Sequence, residues 1–200
     1  MALIKVRPTR LDKEVARGIA RRTDLPLEHA ATVLAWGADE HLLIAAATLG
    51  WLLTRSSKEK VRRFSTHVLV CSLASAVLPH LLKTIFDQQR PDRRTIAGHW
   101  RGVPLSGKPE DAFPSGHALH VGALASAATL LPPKIRFGVW ATGGFLAATR
   151  VVLLAHWVTD VLAGLGLGVV LERGLRAMTR PVPIGSAARR MHEPACPDRE

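Results

Sequence analysis

Three short segments of the sequence carry polar side chains next to long apolar stretches. In the first, Lys83 precedes the pair Arg90-Pro91 by seven residues. At about 100° per residue, that spacing returns to nearly the same face of an α-helix. Two cations on one face can bind an anion together, or they can simply extend from the end of a buried helix toward water. The segment alone leaves both interpretations open.

The second segment is Pro114-Ser115-Gly116-His117, which stands immediately before an apolar stretch. Ser115 is a good N-cap residue, and Gly116 would let an anion approach the backbone amides at the positive end of a helix. An ordinary capped helix would begin in the same way. The tetrapeptide therefore indicates a helix start that could also serve as a phosphate cradle.

The third segment contains Arg150, His156 and Asp160. On a helix, Asp160 would accept a hydrogen bond from one imidazole nitrogen of His156 and leave the other nitrogen nucleophilic. Arg150 would lie about 120° away from His156 on an unbroken helix, so either the chain bends between them or the guanidinium reaches across. Ionisable residues in an apolar stretch favour a functional site. The alternative is a structural ion pair.

Five apolar blocks that are nearly free of charge must position these segments: 41–54, 65–82, 117–131, 137–154 and 157–170. A helix that spans a bilayer needs about 20 mostly apolar residues, which several blocks reach only with their flanks. Buried helices of a soluble bundle are the alternative. The small residues within the blocks and the basic clusters between them favour a membrane bundle. We expect an all-α integral membrane fold of about five to six transmembrane helices, with the site at its outer end.

The chain is strongly basic, with 27 Lys and Arg against 16 Asp and Glu and a net charge of +11. This charge would suit nucleic acid or an anionic membrane surface. Because the cations flank apolar blocks, we expect membrane lipids and no nucleic acid as partners. Basic clusters at 55–63, 134–136 and 173–180 fit the cytoplasmic side of a membrane, which leaves 83–116 and the turn 150–156 facing outward.

The sequence divides into three regions. Residues 1–40 form an amphipathic N-terminal region, in which Leu11, Val15 and Ile19 recur at four-residue steps and predict a short helix on a membrane surface. Pro26 ends that helix or starts the next. Residues 41–180 form the transmembrane domain, and 181–200 are expected to be disordered. Five spans would place the basic N-terminus outside, against the charge rule, and this conflict stays open.

Together the three segments resemble the signature of the type 2 phosphatidic acid phosphatase (PAP2) superfamily, which reads K-x6-RP, then PSGH, then SR-x5-H-x3-D. The order and every internal spacing are kept. Thr149 stands where the family usually has serine, and this difference preserves a hydroxyl group. The resemblance covers roughly residues 65–173.

The resemblance implies cleavage of a phosphate ester or diphosphate without a metal, through a phosphohistidine. It implies that His156 attacks phosphorus and that Asp160 orients and polarises the imidazole of His156. It also implies that His117 protonates the leaving oxygen and then activates water. The phosphoryl oxygens would be held by Lys83, Arg90, Arg150, Ser115 and the amide of Gly116. Three cations would take the role that a metal plays elsewhere. We therefore predict no metal and no cofactor.

The expected function is that of a lipid phosphatase at the outer face of a bacterial cell membrane. Substrates suggested by the resemblance are undecaprenyl diphosphate, phosphatidylglycerophosphate, phosphatidate and a phosphorylated lipid A. The cationic loop 92–113 mildly favours a multiply phosphorylated headgroup, if it is not simply solvated. A phosphotransferase with the same site is one alternative, and a vanadate-dependent haloperoxidase is a remote one. The sequence predicts no particular oligomeric state.

Overall fold

A computed structural model describes residues 3–22, 25–91 and 111–184. Most of the predicted loop 92–113 and of the predicted disordered tail 181–200 lie outside this part of the chain. The strands are β1 (Ile4–Lys5) and β2 (Phe86–Asp87). The helices are α1 (Arg10–Arg22), α2 (Leu25–Ala35), α3 (Glu40–Leu53), α4 (Glu59–Ile85), α5 (Gly116–Ala127), α6 (Pro133–Val152) and α7 (Val158–Thr179), with 3-10 turns at Trp36–Ala38 and Ala128–Leu130.

Each of the five apolar blocks forms a helix, α3 to α7 in order, so the mostly helical fold is confirmed. Among the described helices, only α4 is long and apolar enough to cross a membrane by itself. The α3 and α5 helices have 14 and 12 residues, fewer than the roughly 20 that a bilayer requires. The predicted number of transmembrane helices is therefore not confirmed.

Hydrogen bonds between helix ends show how the bundle runs. At the end of α3, Thr54 Oγ1 donates to Ser65 Oγ near the start of α4 at 2.6 Å. The Nδ1 atom of His67 in α4 lies 2.7 Å from Thr179 Oγ1 at the end of α7. We call this the distal end, defined by His67, Ser126, Glu172, Arg176 and Thr179. The basic clusters at 55–63, 134–136 and 173–180 all lie toward it, opposite the three polar segments.

The α5 and α7 helices pack with their backbones in close contact through glycines. A Cβ atom on Gly164 would lie 2.5 Å from the carbonyl oxygen of Ser115, and one on Gly168 would meet the carbonyl oxygen of Leu119. Small residues permit this approach where bulky side chains would hold two helices apart. The contact fixes the start of α5 against the first turns of α7.

The N-terminal region docks onto the end of the bundle opposite the distal end. The β1 strand pairs in parallel with β2, and α1 packs through Ala16 and Ala20 against Leu154 and Trp157. The predicted helix is present, but its buried stripe is Asp12, Ala16 and Ala20, whereas Leu11 is 59% exposed. Ile19, from the predicted apolar stripe, also packs against this cluster, and the predicted position on a membrane surface stays a prediction.

The contacts of α1 also show on which side of the bundle the N-terminus lies. Because α1 contacts the turn between α6 and α7, the N-terminus lies on the same side of the bundle as His156. Counting five spans back from the site also places the N-terminus on this side, whereas the charge rule would place its cations with the basic clusters at the distal end. Pro26 is the second residue of α2 and so starts a helix.

Candidate active site

A tight turn between α6 and α7 carries His156. The α6 helix ends at Val152, and Leu154 adopts φ of 54°, a left-handed conformation that costs a non-glycine residue roughly 1–2 kcal/mol. The amides of Ala155 and His156 both donate to the carbonyl oxygen of Arg150, at 3.0 and 3.2 Å. The chain therefore bends between Arg150 and His156, which is the first of the two predicted alternatives.

The imidazole of His156 is held by a backbone carbonyl and not by Asp160. Its Nδ1 atom lies 2.8 Å from the carbonyl oxygen of Ala112 and 3.8 Å from Asp160 Oδ2. A carbonyl oxygen only accepts, so Nδ1 carries the hydrogen and Nε2 carries the lone pair. The predicted hydrogen bond to Asp160 is thus wrong, because His156 precedes α7 and does not share a helix with that carboxylate. The nucleophilic role of the second nitrogen stays a prediction, and Nε2 carries the lone pair that this role requires.

The environment keeps this imidazole neutral. His156 lies in the turn, outside α6 and α7, and is 4% exposed. Burial, followed by the charges of Arg90 and Arg150, lowers its pKa well below the usual 6.5. A neutral imidazole with a lone pair on Nε2 is the form that can attack phosphorus.

Asp160 is fully buried in the first turn of α7. Its Oδ2 atom accepts a hydrogen bond from the amide of Trp157 at 2.9 Å, and its main-chain oxygen accepts one from the amide of Ser115 at 3.2 Å. Within the described part of the chain, Oδ1 has no hydrogen-bond partner. At 3.8 Å from Nδ1, the carboxylate can stabilise a positive charge on the ring without holding it.

Three cations converge on His156 from different elements. Lys83 lies in the last turn of α4, Arg150 in the last turn of α6, and Arg90 beyond β2. The predicted shared helix face of Lys83 and Arg90 is therefore wrong, because α4 ends at Ile85. All three charges nevertheless act on the imidazole of His156, and the two arginines also act on Lys83.

The guanidinium of Arg90 is held by the backbone. Arg90 is 7% exposed, and its Nη2 atom donates to the carbonyl oxygen of Asp111 at 3.4 Å.

The Pro114-Ser115-Gly116-His117 segment forms the predicted capped helix start. Ser115 is the N-cap of α5, and its Oγ atom accepts from the amide of Ala118 at 3.4 Å. A Cβ atom on Gly116 would meet only Pro79, at an ordinary 3.6 Å, so packing alone does not require glycine there. His117 follows in the first turn, where the charges of Arg150 and Lys83 reach it. All eight predicted site residues thus gather at one end of the bundle.

Sequence reasoning missed three groups that hold this site together. The carbonyl of Ala112 fixes the tautomer of His156, and Trp157 donates from Nε1 to the carbonyl oxygen of Gln89 at 2.7 Å. Backbone groups leave no trace in residue types, so no signal was available for these contacts. The third group, Asp12, stands three residues after Thr9 in a spacing typical of a helix cap, which was a usable signal.

The donor set does not suit a metal ion. In the ranges that the structure covers, no three His, Cys, Asp or Glu side chains form a group that could hold one. The charges of Lys83, Arg90 and Arg150 act on His156 and would repel a further positive charge there. The same arrangement suits an anion with several oxygens, such as a phosphoryl group.

An apolar groove of about 470 Å³ lies between α3, α5 and α6. Its lining includes Val121, one helical turn after His117, and Leu146, one turn before Arg150. Residues four apart share a helix face, so the groove begins one turn below two site residues. An apolar chain attached to a bound phosphate could extend into it.

Sequence comparisons link the chain to a known family. The sequence model of the PAP2 superfamily matches residues 64–181. The lipid A 1-phosphatase of Rhizobium johnstonii is 30% identical over 162 residues, which cover 74% of this chain and 66% of that protein. The lipid A 1-phosphatase of Rhizobium etli is 32% identical over 133 residues, which cover 64% and 57%. The matches therefore span less than two thirds of the length of these relatives.

Two crystal structures share the fold. LpxE of Aquifex aeolicus superposes with a TM-score of 0.64 at 17% identity, over 87% of this chain and 99% of that one. A transmembrane PAP2 type phosphatidylglycerolphosphate phosphatase of Bacillus subtilis gives 0.55 at 21% identity, over 85% of both chains. At these identities the likeness concerns the fold alone.

Proposed function

Because the chain belongs to the PAP2 superfamily, we propose that it is a membrane-bound phosphatase that removes a phosphate group from lipid A. The observation that carries this proposal is the fixed tautomer of His156, whose Nδ1 atom donates to Ala112 and whose Nε2 atom is free to attack amid three cations. This arrangement supports nucleophilic catalysis on an anionic group.

The reaction proceeds in two displacements. In the first, Nε2 of His156 forms a bond to phosphorus, the bond from phosphorus to the lipid oxygen breaks, and His117 gives that oxygen a proton. In the second, His117 takes a proton from water, and the resulting hydroxide displaces Nε2 to release inorganic phosphate. Asp160, at 3.8 Å from Nδ1, stabilises the charge that the imidazole acquires when Nε2 is phosphorylated.

The phosphoryl oxygens are bound by cations and by the start of α5. Lys83, Arg90 and Arg150 approach from three elements, while Ser115 and the Gly116 amide contribute the positive end of a helix. Fixed cations in a water-poor site stabilise the developing charge of the transition state. Turnover is therefore expected to be independent of a metal ion.

Lipid A is favoured among lipid phosphates for two reasons. Both of the sequence relatives described above are named lipid A 1-phosphatase, and the apolar groove below His117 and Arg150 can take part of an acyl chain. The abundance of cations at the site also suits a headgroup with more than one phosphate. Only the names of the relatives specify the phosphate at the 1-position of lipid A, and for this chain that specificity is part of the proposal.

The site is proposed to face the outer side of the inner membrane. The three basic clusters lie toward the distal end, which would then face the cytoplasm, as the charge rule requires. The docked N-terminal region would lie outside with the site.

A Lys5→Cys variant tests this orientation. It should react with a membrane-impermeant maleimide in intact spheroplasts, because Lys5 is exposed. Labelling only after permeabilisation would contradict this orientation.

The decisive experiment measures phosphate release by the detergent-purified full chain in the presence of EDTA. The substrates are lipid A, phosphatidate, phosphatidylglycerophosphate and undecaprenyl diphosphate, each also tested with His156→Ala. We expect release from lipid A to exceed release from the others at least tenfold and to vanish in the variant. Preferred release from another lipid would refute the substrate, and full activity of His156→Ala would refute the mechanism.

A further inference from the structure

Asp12 is a buried carboxylate that the proposed reaction does not use. It is 1% exposed and accepts four hydrogen bonds, two from Thr9 and two from Thr159. The amide of Thr159 donates to Oδ1 at 3.0 Å, and its hydroxyl donates to Oδ2 at 2.8 Å. Thr159 is the neighbour of Asp160, so the carboxylate links the N-terminal region directly to the proposed site.

This single side chain caps two helices. At the start of α1, Asp12 accepts from the amide of Thr9 at 2.9 Å, and its own amide donates to Thr9 Oγ1 at 3.1 Å, as in a capping box. Thr159 is the second residue of α7, where an amide has no partner within its own helix. Asp12 satisfies that amide from a position 147 residues away in the chain.

The rest of α1 contacts the groups that surround His156. Ala16 and Ala20 pack in one cluster with Ala112, Leu154 and Trp157. Ala112 provides the carbonyl that holds Nδ1, and the other two residues stand two before and one after His156. The helix that Asp12 anchors therefore contacts both the turn and the acceptor of its imidazole.

The carboxylate stays ionised in this position. Burial alone would raise the pKa of Asp12, but the hydrogen bonds from Thr159 and Thr9 outweigh it and lower the pKa below the usual 3.8. Ionised acceptors form stronger hydrogen bonds than neutral ones, and a negative charge is favoured at the start of a helix.

We propose that Asp12 is a positioning residue for phosphoryl transfer, which fixes the His156 turn by capping α7 through Thr159. The proposal rests on the function proposed above. Asp12 does not touch the phosphoryl group; it keeps Nε2 of His156 in line with phosphorus by holding α7 and α1 against the turn. Small errors in such alignment are costly, because proximity and orientation supply a large part of the rate.

The test compares Asp12→Asn with Thr159→Val, Thr159→Ser and the double variant Asp12→Asn/Thr159→Val. Glu14→Gln is the matched control, since Glu14 is an exposed carboxylate on the same helix. For each purified full chain, kcat and KM for phosphate release from lipid A are measured well below its Tm, together with the folded fraction. We expect kcat of Asp12→Asn to fall about 10- to 100-fold with KM within threefold of the parent. Thr159→Val should lose part of this rate, and Thr159→Ser, which keeps both donors, should restore it.

Two further results discriminate positioning from simple stabilisation. The double variant should be no slower than Asp12→Asn, because both changes break the same link. Glu14→Gln should match the parent chain. If Asp12→Asn lowers only Tm and yield while kcat per folded molecule stays within twofold, the proposal is wrong. An inactive parent chain would instead refute the proposed function, so the two failures are distinguishable.

Discussion

The two ends of the bundle each bury a histidine beside a carboxylate, and the two pairs differ in how completely they are bonded. At the distal end, His67 Nε2 lies 2.8 Å from Glu172 Oε1. At the site, His156 Nδ1 lies 3.8 Å from Asp160 Oδ2. A histidine and a carboxylate thus form a tight pair in one place and a loose pair in the other.

The distal pair belongs to a saturated network. Glu172 also accepts from Ser126 Oγ at 2.6 Å and from Arg176 Nε at 2.7 Å. The other ring nitrogen of His67 lies 2.7 Å from Thr179 Oγ1. With both ring nitrogens and both carboxylate oxygens bonded, no group is left to bind a ligand. This network joins α4, α5 and α7 as a structural contact.

The site retains unused bonding capacity. In the ranges that the structure covers, Asp160 Oδ1 and Arg150 Nε have no hydrogen-bond partner, and Leu154 is held at a positive φ. Buried polar groups are normally bonded, and strained backbone concentrates at functional sites. Unpaired polar groups thus lie near His156, the histidine proposed to react, whereas His67 lies in a fully hydrogen-bonded network.

The largest expected effect follows from replacing the histidine that is proposed to react. His156→Ala should lower phosphate release at least 1000-fold, because it removes the proposed nucleophile. Its Tm should stay within a few degrees of the parent value, since the ring makes one hydrogen bond to the backbone. Activity assays and thermal unfolding of the same preparation measure the rate of phosphate release and the Tm. A large loss of Tm would show that His156 is structural, as His67 is.

Breaking the distal network should lower the free energy of unfolding and leave kcat nearly unchanged. Glu172→Gln keeps the shape but removes the charge that Arg176 and His67 share, which should cost about 3–5 kcal/mol of unfolding free energy. The kcat per folded molecule should change little. The control is Glu59→Gln, which affects an exposed pair with Arg63 and should be nearly neutral. Denaturant titration in detergent measures the difference between them.

A mutation at the α5–α7 contact should affect the site through geometry. In Gly164→Ala the new Cβ would lie 2.5 Å from Ser115 O and force the phosphate cradle away from Asp160. We expect at least a tenfold loss of kcat and a lower Tm. Gly166→Ala is the matched control, because no described atom outside its own helical turn lies within 4 Å of the added Cβ. Equal behaviour of the two variants would contradict the role assigned to this contact.

A smaller effect concerns pH. The proposed nucleophile must be neutral, and burial together with Arg90 and Arg150 lowers the pKa of His156 well below 6.5. The neutral form therefore persists as the pH falls through 6.5 and is lost only at lower pH. The acidic limb of kcat/KM should have its midpoint below pH 6.5. A midpoint above 6.5 would contradict this environment for His156.

The smallest effect should come from Thr149, the one departure from the family signature. Its hydroxyl donates to the carbonyl oxygen of Leu146 at 2.6 Å, within its own helix. Thr149→Ser keeps this bond and removes one buried methyl group, worth about 1 kcal/mol. We expect kcat within twofold of the parent, and a larger change in steady-state assays would assign the methyl group a role at the site.

The sequence was sufficient for what depends on residue type and local spacing. It predicted the helices that follow the five apolar blocks, the cap at Ser115 and the eight residues that gather at one end. It did not predict contacts made by the backbone or across long separations. The carbonyl that holds His156 comes from Ala112, 44 residues earlier, and Asp12 bonds to Thr159 across 147 residues.

One local prediction was wrong because tertiary structure overrides periodicity. Arg90 leaves the helix face shared with Lys83 because the chain turns into β2 after Ile85. The α1 helix was predicted, but the burial of Ala16, Ala20 and Asp12 against the bundle was not. In both cases the pattern identified the helix but not the residues that it would contact.

The most direct test of the account is to find the phosphorylated residue. The full chain is mixed with lipid A labelled with ³²P in its phosphate, quenched in alkali after milliseconds, digested and analysed by mass spectrometry. We expect label on the peptide that contains His156, none in His156→Ala, and none on the peptide that contains His67. Turnover without any labelled histidine, or label on His67 or His117, would refute nucleophilic catalysis by His156.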